Sequence, residues 1–285
     1  TVYTNNTTVQ VERNGGTGQV QGPAFKENIP EILDYVRVFG GDIMENVKSS
    51  DKAFNLGTAF VDPGFFRILS FPLLYGNPGN VLNEKYSVVI TEKTAQKFFG
   101  RTDVVGERLD VADNPDSLFA SFIITGITKD PPSNSSIQFD ILIPFSYLQI
   151  MFNDNNWLNA YLNTFVILHP NADLKKLEQK FIPIHNTYAK EQIEQGKKTG
   201  EFNKQTAYSL QSVADMHLSR EAGFPNSSKA LYSYFLLDIA AFIMLMASIN
   251  FINLSIAGSL KRGKEIGIRK IAGSSKTRII CQFLL

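Results

Sequence analysis

Histidines, acidic clusters and short motifs are the features of this chain that could do chemistry. The three histidines, His169, His185 and His217, are too far apart to show metal-ligand spacing, and each is expected to be an ordinary surface or turn residue. Acids and amides cluster in "DNPDS" (113–117) and "NDNN" (153–156), which could bind calcium but lack EF-hand spacing. The sequence contains no G-x-S-x-G, H-E-x-x-H or C-x-x-C motif. We therefore predict no catalytic residue, no metal site and no cofactor.

The segment "AGSSKT" (272–277) comes nearest to a phosphate-binding loop. That loop requires G-x-x-x-x-G-K-[ST], because a glycine before the lysine lets the backbone approach phosphate. Here Ser275 precedes Lys276. The sequence therefore predicts no nucleotide site on this chain.

Positive charge is concentrated near the C-terminal end. The 285-residue chain has a net charge of +1, which argues against general affinity for nucleic acid. Residues 261–278 nevertheless hold seven cations and one anion. The cations are Lys261, Arg262, Lys264, Arg269, Lys270, Lys276 and Arg278. A local cluster of one sign calls for a local cause.

A long apolar stretch directly precedes these cations. Residues 239–260 contain no charged side chain and are bounded by Asp238 and Lys261. A helix rises about 1.5 Å per residue, so about 20 residues cross a hydrocarbon core about 30 Å thick. A buried core helix is the alternative, but such helices are usually shorter and more often interrupted by polar residues. We predict a transmembrane helix over 229–260.

The cations give this helix an orientation. Lysine and arginine collect in short cytoplasmic loops, so residues 261–278 are expected in the cytoplasm. Residues 1–228 would then lie outside, in the periplasm or extracellular space. Residues 279–285 return to apolar sequence and are predicted to begin the next membrane helix. The chain starts without a methionine and ends inside this apolar run, so we expect a fragment of a longer protein.

Small and amide side chains share one face of the predicted membrane helix. Ala247, Asn250 and Ala257 coincide at helical spacing, with Asn253 at the margin. Such residues usually face other helices, where backbones approach closely and amides find partners. We predict helix packing for this face, in preference to a transport role for Asn250.

The basic stretch is more regular than a simple membrane anchor requires. Leu260, Ile268 and Ile271 form an apolar stripe on a helical wheel, and Gly273 suits a helix end. A short amphipathic cytoplasmic helix is predicted, and two interpretations stay open. It docks on a soluble partner, or it holds the anionic lipids of the inner leaflet.

Together these features resemble the second membrane helix and cytoplasmic loop of MacB/FtsX-type ABC transporter permeases, in the form common in Bacteroidetes. The matching positions are Asn250, Asn253, Leu254, Ser255, Glu265, Ile266, Gly267, Ile268, Arg269, Lys270 and Gly273. Ser274 departs from the small alanine usual there. The resemblance implies that residues 261–273 contact a separate ATPase subunit. The coupling residues would be Lys264, Glu265, Ile266, Gly267, Ile268, Arg269, Lys270 and Gly273.

Residues 1–228 mix strand and helix patterns, which predicts an α+β class. Strands are expected at 35–39, 56–62, 86–91, 122–128, 139–145, 163–170 and 206–213. Thr91 and Gly100 are predicted to cap one helix, and Pro183 to break or bend another that starts near 172. Residues 146–163 show no clear strand or helix periodicity, and a boundary between two subdomains is expected near them.

This part also resembles the periplasmic core of the same family, in "VDPGFFRILSFPLLYGNP", "SVVITEKTAQKFFGRTDVVGERLDV" and "FIITGITKDPPSNSSIQFDILIPF". The resemblance implies a periplasmic domain of two lobes, one mixed α/β and similar to the porter subdomains of efflux pumps, the other β-rich. It implies a bacterial inner-membrane permease with an ABC ATPase, a second permease copy or homologous half, membrane lipids and an outer-membrane or periplasmic adaptor as partners. The alternative is a membrane-anchored sensor or regulator of cell-wall hydrolases that does not transport.

Overall fold

The computed structural model describes residues 2–5, 11–13, 15–112, 119–199, 204–214, 230–273, 275 and 277. The chain divides into two compact units, Thr1–Ser228 and Lys229–Leu285. In chain order the elements are β1 (Val2–Asn5), β2 (Val11–Arg13), α1 (Gln21–Asn28), β3 (Ile32–Ser49), β4 (Lys52–Val61), α2 (Phe65–Ile68), β5 (Leu73–Tyr75), β6 (Ser87–Thr91), α3 (Glu92–Phe99), β7 (Arg108–Ala112), β8 (Phe119–Thr128), β9 (Ile141–Pro144), α4 (Phe145–Met151), β10 (Asn163–Leu168), α5 (Leu174–Tyr188), α6 (Lys190–Thr199), β11 (Lys204–Ala207) and α7 (Ala230–Ile271).

The larger unit is built on an eight-stranded sheet of order β10-β3-β4-β9-β6-β8-β5, in which β7 pairs with both β3 and β8. The pairs β4–β9 and β6–β8 are parallel, and the other pairs are antiparallel. A smaller sheet has the order β11-β1-β2. The mixed α+β class predicted from the sequence is confirmed.

Local sequence determines the strand and helix ends around β6 and α3. The side chain of Thr91 accepts a hydrogen bond from the Thr94 N–H at 3.3 Å, and Gly100 has a left-handed φ of 69°. These are the cap and the stop that the sequence predicts. The strands expected from 35 to 170 are also present, although β3 is much longer than its predicted apolar core.

Two glycines bend β3 in its middle. Gly40 and Gly41 have φ values of 90° and 100°, and the register with β4 shifts between Gly40 and Ile43. A Cβ at Gly41 would meet the Gln138 carbonyl oxygen at 2.5 Å. The bulge therefore requires glycine for both backbone conformation and space.

Two sequence predictions need correction at the end of the larger unit. Of the break or bend predicted at Pro183, the break does not occur, because α5 continues through it to Tyr188 and buries Leu177, Phe181 and His185 on one face. The strand predicted over 206–213 ends at Ala207. Burial overrides the local signals here, since the Tyr208 ring turns into an apolar cluster and is 8% exposed.

The core consists of three hydrophobic clusters. Two are separated by the alternation of side chains along the strands, and the third combines residues of α1 and α5 with strand and irregular segments. Ile90 and Ile141 belong to one cluster, while their neighbours Val89 and Leu142 belong to another. The third cluster joins α1, α5 and the irregular stretch 152–162, with Phe25, Trp157, Phe181 and Tyr208 in contact. The stretch 152–162 shows no helix or strand periodicity in the sequence, because tertiary contacts rather than regular secondary structure fix its conformation.

His185 lies inside the third cluster, so its prediction as a surface or turn residue is wrong. It is 1% exposed, its Nδ1 lies 2.9 Å from the Tyr208 hydroxyl, and the Trp157 ring meets it edge-on. Within the described residues its Nε2 has no hydrogen-bond partner. Burial lowers the pKa of His185 from 6.5 to about 4.

This burial predicts acid sensitivity of the larger unit. Unfolded His185 takes up a proton below about pH 6.5, whereas the folded state stays neutral until about pH 4. The contribution of neutral His185 to the free energy of unfolding is therefore complete above about pH 6.5 and is lost as the pH falls toward 4. Between pH 7 and pH 4.5 we expect the free energy of unfolding to fall by about 2 kcal/mol more in the wild type than in His185→Gln. Urea unfolding at the two pH values measures this difference. The exposed His169→Gln is the control, and an equal loss in all three chains would contradict the prediction.

Candidate functional site

The candidate site begins with α7, a helix of 42 residues from Ala230 to Ile271. Its sequence contains no proline, so no backbone donor is missing along about 63 Å of helix. Residues Tyr234–Gly258 form a 25-residue stretch whose most apolar 18-residue window has a mean hydropathy of 2.2, so it is long and apolar enough to cross a membrane. Its length of about 37 Å exceeds a hydrocarbon core of about 30 Å.

The apolar stretch of α7 is exposed rather than packed into a core. None of its most apolar window is buried within the chain. Large side chains such as Phe235, Phe242 and Phe251 are each more than 60% exposed. A core helix of a water-soluble domain would cover these rings, so α7 is a candidate transmembrane helix.

The four residues predicted to pack against another helix all lie exposed on α7. At about 100° per residue, Ala247, Asn250 and Ala257 fall within about 80° of one another and Asn253 flanks them. Ser248 donates its hydroxyl to the Met244 carbonyl at 2.8 Å. By contrast, neither Asn250 nor Asn253 has a side-chain partner among the described residues, which is costly in lipid. Their packing role stays a prediction.

The basic stretch is the end of the same helix, whereas the sequence predicts a separate short helix. No proline or capping turn interrupts α7 at the predicted boundary between 260 and 261. Gly258, Gly263 and Gly267 are all accommodated in the helix, and nothing lies within 4 Å of a Cβ built on any of them. Gly273 has a φ of 88° and its N–H donates to the Lys270 carbonyl at 3.2 Å, as expected of a helix end.

The predicted coupling residues share this helical end. Lys264, Gly267, Ile268, Lys270 and Gly273 are exposed, and Arg269 is partly buried. Glu265 and Ile266 have helical backbones, and their side chains lie outside the described residues, as does the segment 279–285 predicted to begin another membrane helix.

The end of α7 combines apolar surface with positive charge. Ile268 and Ile271 are 68% and 91% exposed and lie three residues apart, on one side of the helix. Arg269 and Lys270 occupy the last turn, where cations complement the negative end of the helix dipole. This surface can bind an anionic partner that also covers apolar side chains.

Metal ligands do not assemble in the described residues: no group of three or more His, Cys, Asp or Glu side chains is present there. The cluster 113–117 lies outside the described residues. In the cluster 153–156, the Asp154 carboxylate accepts hydrogen bonds from the Asn156 N–H at 2.9 Å and the Asn159 amide at 2.7 Å, which shapes a loop.

Sequence reasoning missed a buried ion pair in the larger unit. Arg37 donates to both carboxylate oxygens of Asp62, from Nε at 2.8 Å and from Nη2 at 2.7 Å. Its Nη1 donates to the Gln19 carbonyl at 2.8 Å, and its guanidinium lies 3.8 Å from the centre of the Phe145 ring. The signal was an arginine inside the apolar strand "YVRVF", which needs a buried partner.

Comparisons with known proteins identify the family. Residues 2–184 match the model of the MacB-like periplasmic core domain. The macrolide export ATP-binding/permease protein MacB of Shewanella sp. (strain W3-18-1) is 22% identical over 249 residues, which is 86% of this chain and 34% of that protein. Its counterpart from Salmonella paratyphi A is 23% identical over 79% of this chain and 31% of that protein. The chain thus spans about a third of these curated relatives.

A solved structure supports the fold. A domain of a candidate permease protein from Porphyromonas gingivalis superposes with a TM-score of 0.57 at 23% identity, covering 76% of this chain and 94% of that one. The family model covers more than half of the chain. The chain therefore belongs to the MacB-like periplasmic core domain family, as its resemblance to MacB/FtsX-type ABC permeases implied.

Proposed function

We propose that this chain is a permease subunit that couples ATP hydrolysis on a separate ATPase to conformational change in a periplasmic unit. The observation that carries the proposal is the continuity of α7, in which an apolar stretch of membrane length runs without a break into an exposed, cation-rich end. A partner that moves this end also moves the membrane-spanning part of the same helix.

In our proposal the ATPase is a separate subunit, as the resemblance to MacB/FtsX-type permeases implies. The Shewanella and Salmonella relatives are named as ATP-binding/permease proteins, which join the two activities under one name. In our proposal the ATPase binds residues 261–273 of this chain, including Ile268, Arg269 and Lys270. ATP binding displaces this segment, and α7 carries the displacement toward the periplasmic side.

The larger unit converts this displacement into work outside the membrane, by efflux or by handling a lipoprotein or peptide. Substrate need not pass between the membrane helices for this to happen. The proposal places the chain in a bacterial inner membrane with residues 1–228 in the periplasm. It requires a second permease copy or homologous half, which would cover the face of Asn250 and Ala257.

Membrane topology tests the proposal directly. In a Cys281→Ser background, single cysteines are introduced as Lys198→Cys in the larger unit and Ser275→Cys beyond α7. A membrane-impermeant maleimide should label Lys198→Cys in cells whose outer membrane is permeabilised, and should label Ser275→Cys only after the inner membrane is opened. Equal labelling of both positions in cells with an intact inner membrane would contradict the proposal, because residues on both sides of the apolar stretch would then lie on the same side of the membrane.

A further inference from the structure

A groove that the proposed function does not use opens in the larger unit. It lies between α1, the end of α4, the stretch 152–162 and the end of α5, with a volume of about 310 Å³. This volume is at the small end of the range for ligand sites in proteins. Its walls combine carboxylates with aromatic and aliphatic surface, so its chemistry can be derived from the residues that line it.

The groove carries an excess of negative charge. Arg37 reaches it, but its guanidinium already binds both oxygens of the Asp62 carboxylate. Asp154 also lines the groove and is 7% exposed, and it forms no ion pair within the described part of the chain. Glu27 adds a second, exposed carboxylate at the rim. Buried carboxylates rarely lack a cation, so Asp154 is the unusual group here.

The Asp154 carboxylate has capacity for a further donor. One oxygen accepts from the Asn156 N–H and the other from the Asn159 amide. The neighbouring Tyr161 hydroxyl also interacts with this carboxylate, and burial and Asp154 together raise the pKa of Tyr161. A carboxylate offers about four acceptor positions, so these three neighbours leave about one position unused. An ammonium or guanidinium group can supply both the missing donor and the missing positive charge.

Aromatic surface forms the adjacent wall. The rings of Trp157 and Tyr188 stack with centroids 5.3 Å apart and an interplanar angle of 11°. Trp157 is 6% exposed, whereas Tyr188 is 49% exposed and offers area to a ligand. Val20, Pro23 and Ala24 add aliphatic surface from the neighbourhood of α1. Flat apolar groups and cations both bind favourably to such rings.

We propose that this groove binds a protonated amine or guanidinium carried on a flat apolar body. The cation lies against Asp154, with Glu27 adding attraction at the rim, and the apolar body contacts Tyr188 and the aliphatic wall. A free amine and a basic side chain of a polypeptide share this chemistry. The site does not depend on the topology or the ATPase of the proposed function.

Trp157 provides the measurement because it is the single tryptophan of the chain. The full chain in maltoside micelles is titrated with phenethylamine, and with 3-phenylpropionate as a probe of similar body and opposite charge. We expect a saturable change in tryptophan emission with the amine below about 10 mM, and none with the acid. A second arm compares acetyl-Phe-Lys-amide with phenethylamine: tighter binding of the peptide identifies a polypeptide source, and weaker binding identifies a free amine.

Variants locate the bound cation. Asp154→Asn should weaken amine binding about tenfold, and Glu27→Gln, an exposed change that leaves the fold intact, about threefold. Asp51→Asn in the exposed β3–β4 turn removes the same charge far along the sequence from the groove and should change nothing. The proposal is overturned if the acid changes the emission as much as the amine does, or if the amine gives no saturable change. It is also overturned if amine binding is unchanged both in Glu27→Gln and in a correctly folded Asp154→Asn.

Discussion

Charge reversal at Arg269 and Lys270 to glutamate is expected to abolish ATPase-stimulated transport while the larger unit stays folded. Both residues lie in the last turn of α7, beside the exposed side chain of Ile268. Reversal places two negative charges where an anionic partner would bind and also opposes the helix dipole. Like charges across an interface cost several kcal/mol, so association should weaken at least about tenfold.

The measurement is co-purification of an ABC ATPase with this chain from its native membranes, together with ATP-driven transport in liposomes. Lys197→Glu with Lys198→Glu makes the same charge change on the exposed surface of α6 and is the matched control. If the reversed chain still retains the ATPase in the pull-down, the coupling assignment is wrong. If its activity recovers when anionic lipids are replaced by neutral ones, the basic stretch is a lipid anchor.

Replacing Arg37 with methionine is expected to destabilise the larger unit by about 3 kcal/mol or more. The side chains of Arg37 and Asp62 are 7% and 11% exposed, so removing the cation leaves a buried carboxylate without its partner. The substitution also removes the donor to the Gln19 carbonyl and the cation over the Phe145 ring. Urea unfolding of the full chain in micelles, followed by Trp157 emission, measures the loss.

Two further variants make this prediction specific. Arg67→Met breaks an ion pair with Asp34 in which the arginine side chain is 69% exposed, and it should cost less than about 1 kcal/mol. Adding Asp62→Asn to Arg37→Met removes the uncompensated charge and should restore part of the stability. Equal losses for Arg37→Met and Arg67→Met would show that the buried pair has no special role.

Much of the fold was predictable where a single segment determines its own conformation. Thr91 and Gly100 set the ends of α3, and β-branched runs identified β6, β8 and β10, because capping and alternation act over a few residues. The apolar length of α7 likewise needed only counting. These features depend on near neighbours along the chain.

Features that depend on distant residues were not predictable in this way. Pro183 is held inside α5 by the burial of Phe181 and His185, and those contacts come from α1 and Trp157. The groove has the same origin, because Glu27, Asp154 and Tyr188 meet only through the fold. The basic end of α7 was found from charge alone, while its continuity with the membrane stretch was not, because nothing in the sequence excludes a turn there.

The glycines of α7 would limit the displacement that this helix can transmit in the proposed mechanism. Each of Gly258, Gly263 and Gly267 makes local unwinding easier by about 1 kcal/mol relative to alanine, so unwinding of this segment is favoured about 100-fold over the same segment with three alanines. Unwound, residues 258–267 could lengthen from about 15 Å to about 33 Å. If α7 transmits displacement as proposed, we expect it to move as a rigid helix under a small displacement, and its glycine segment to extend under a large one, so that residues 234–258 are displaced less.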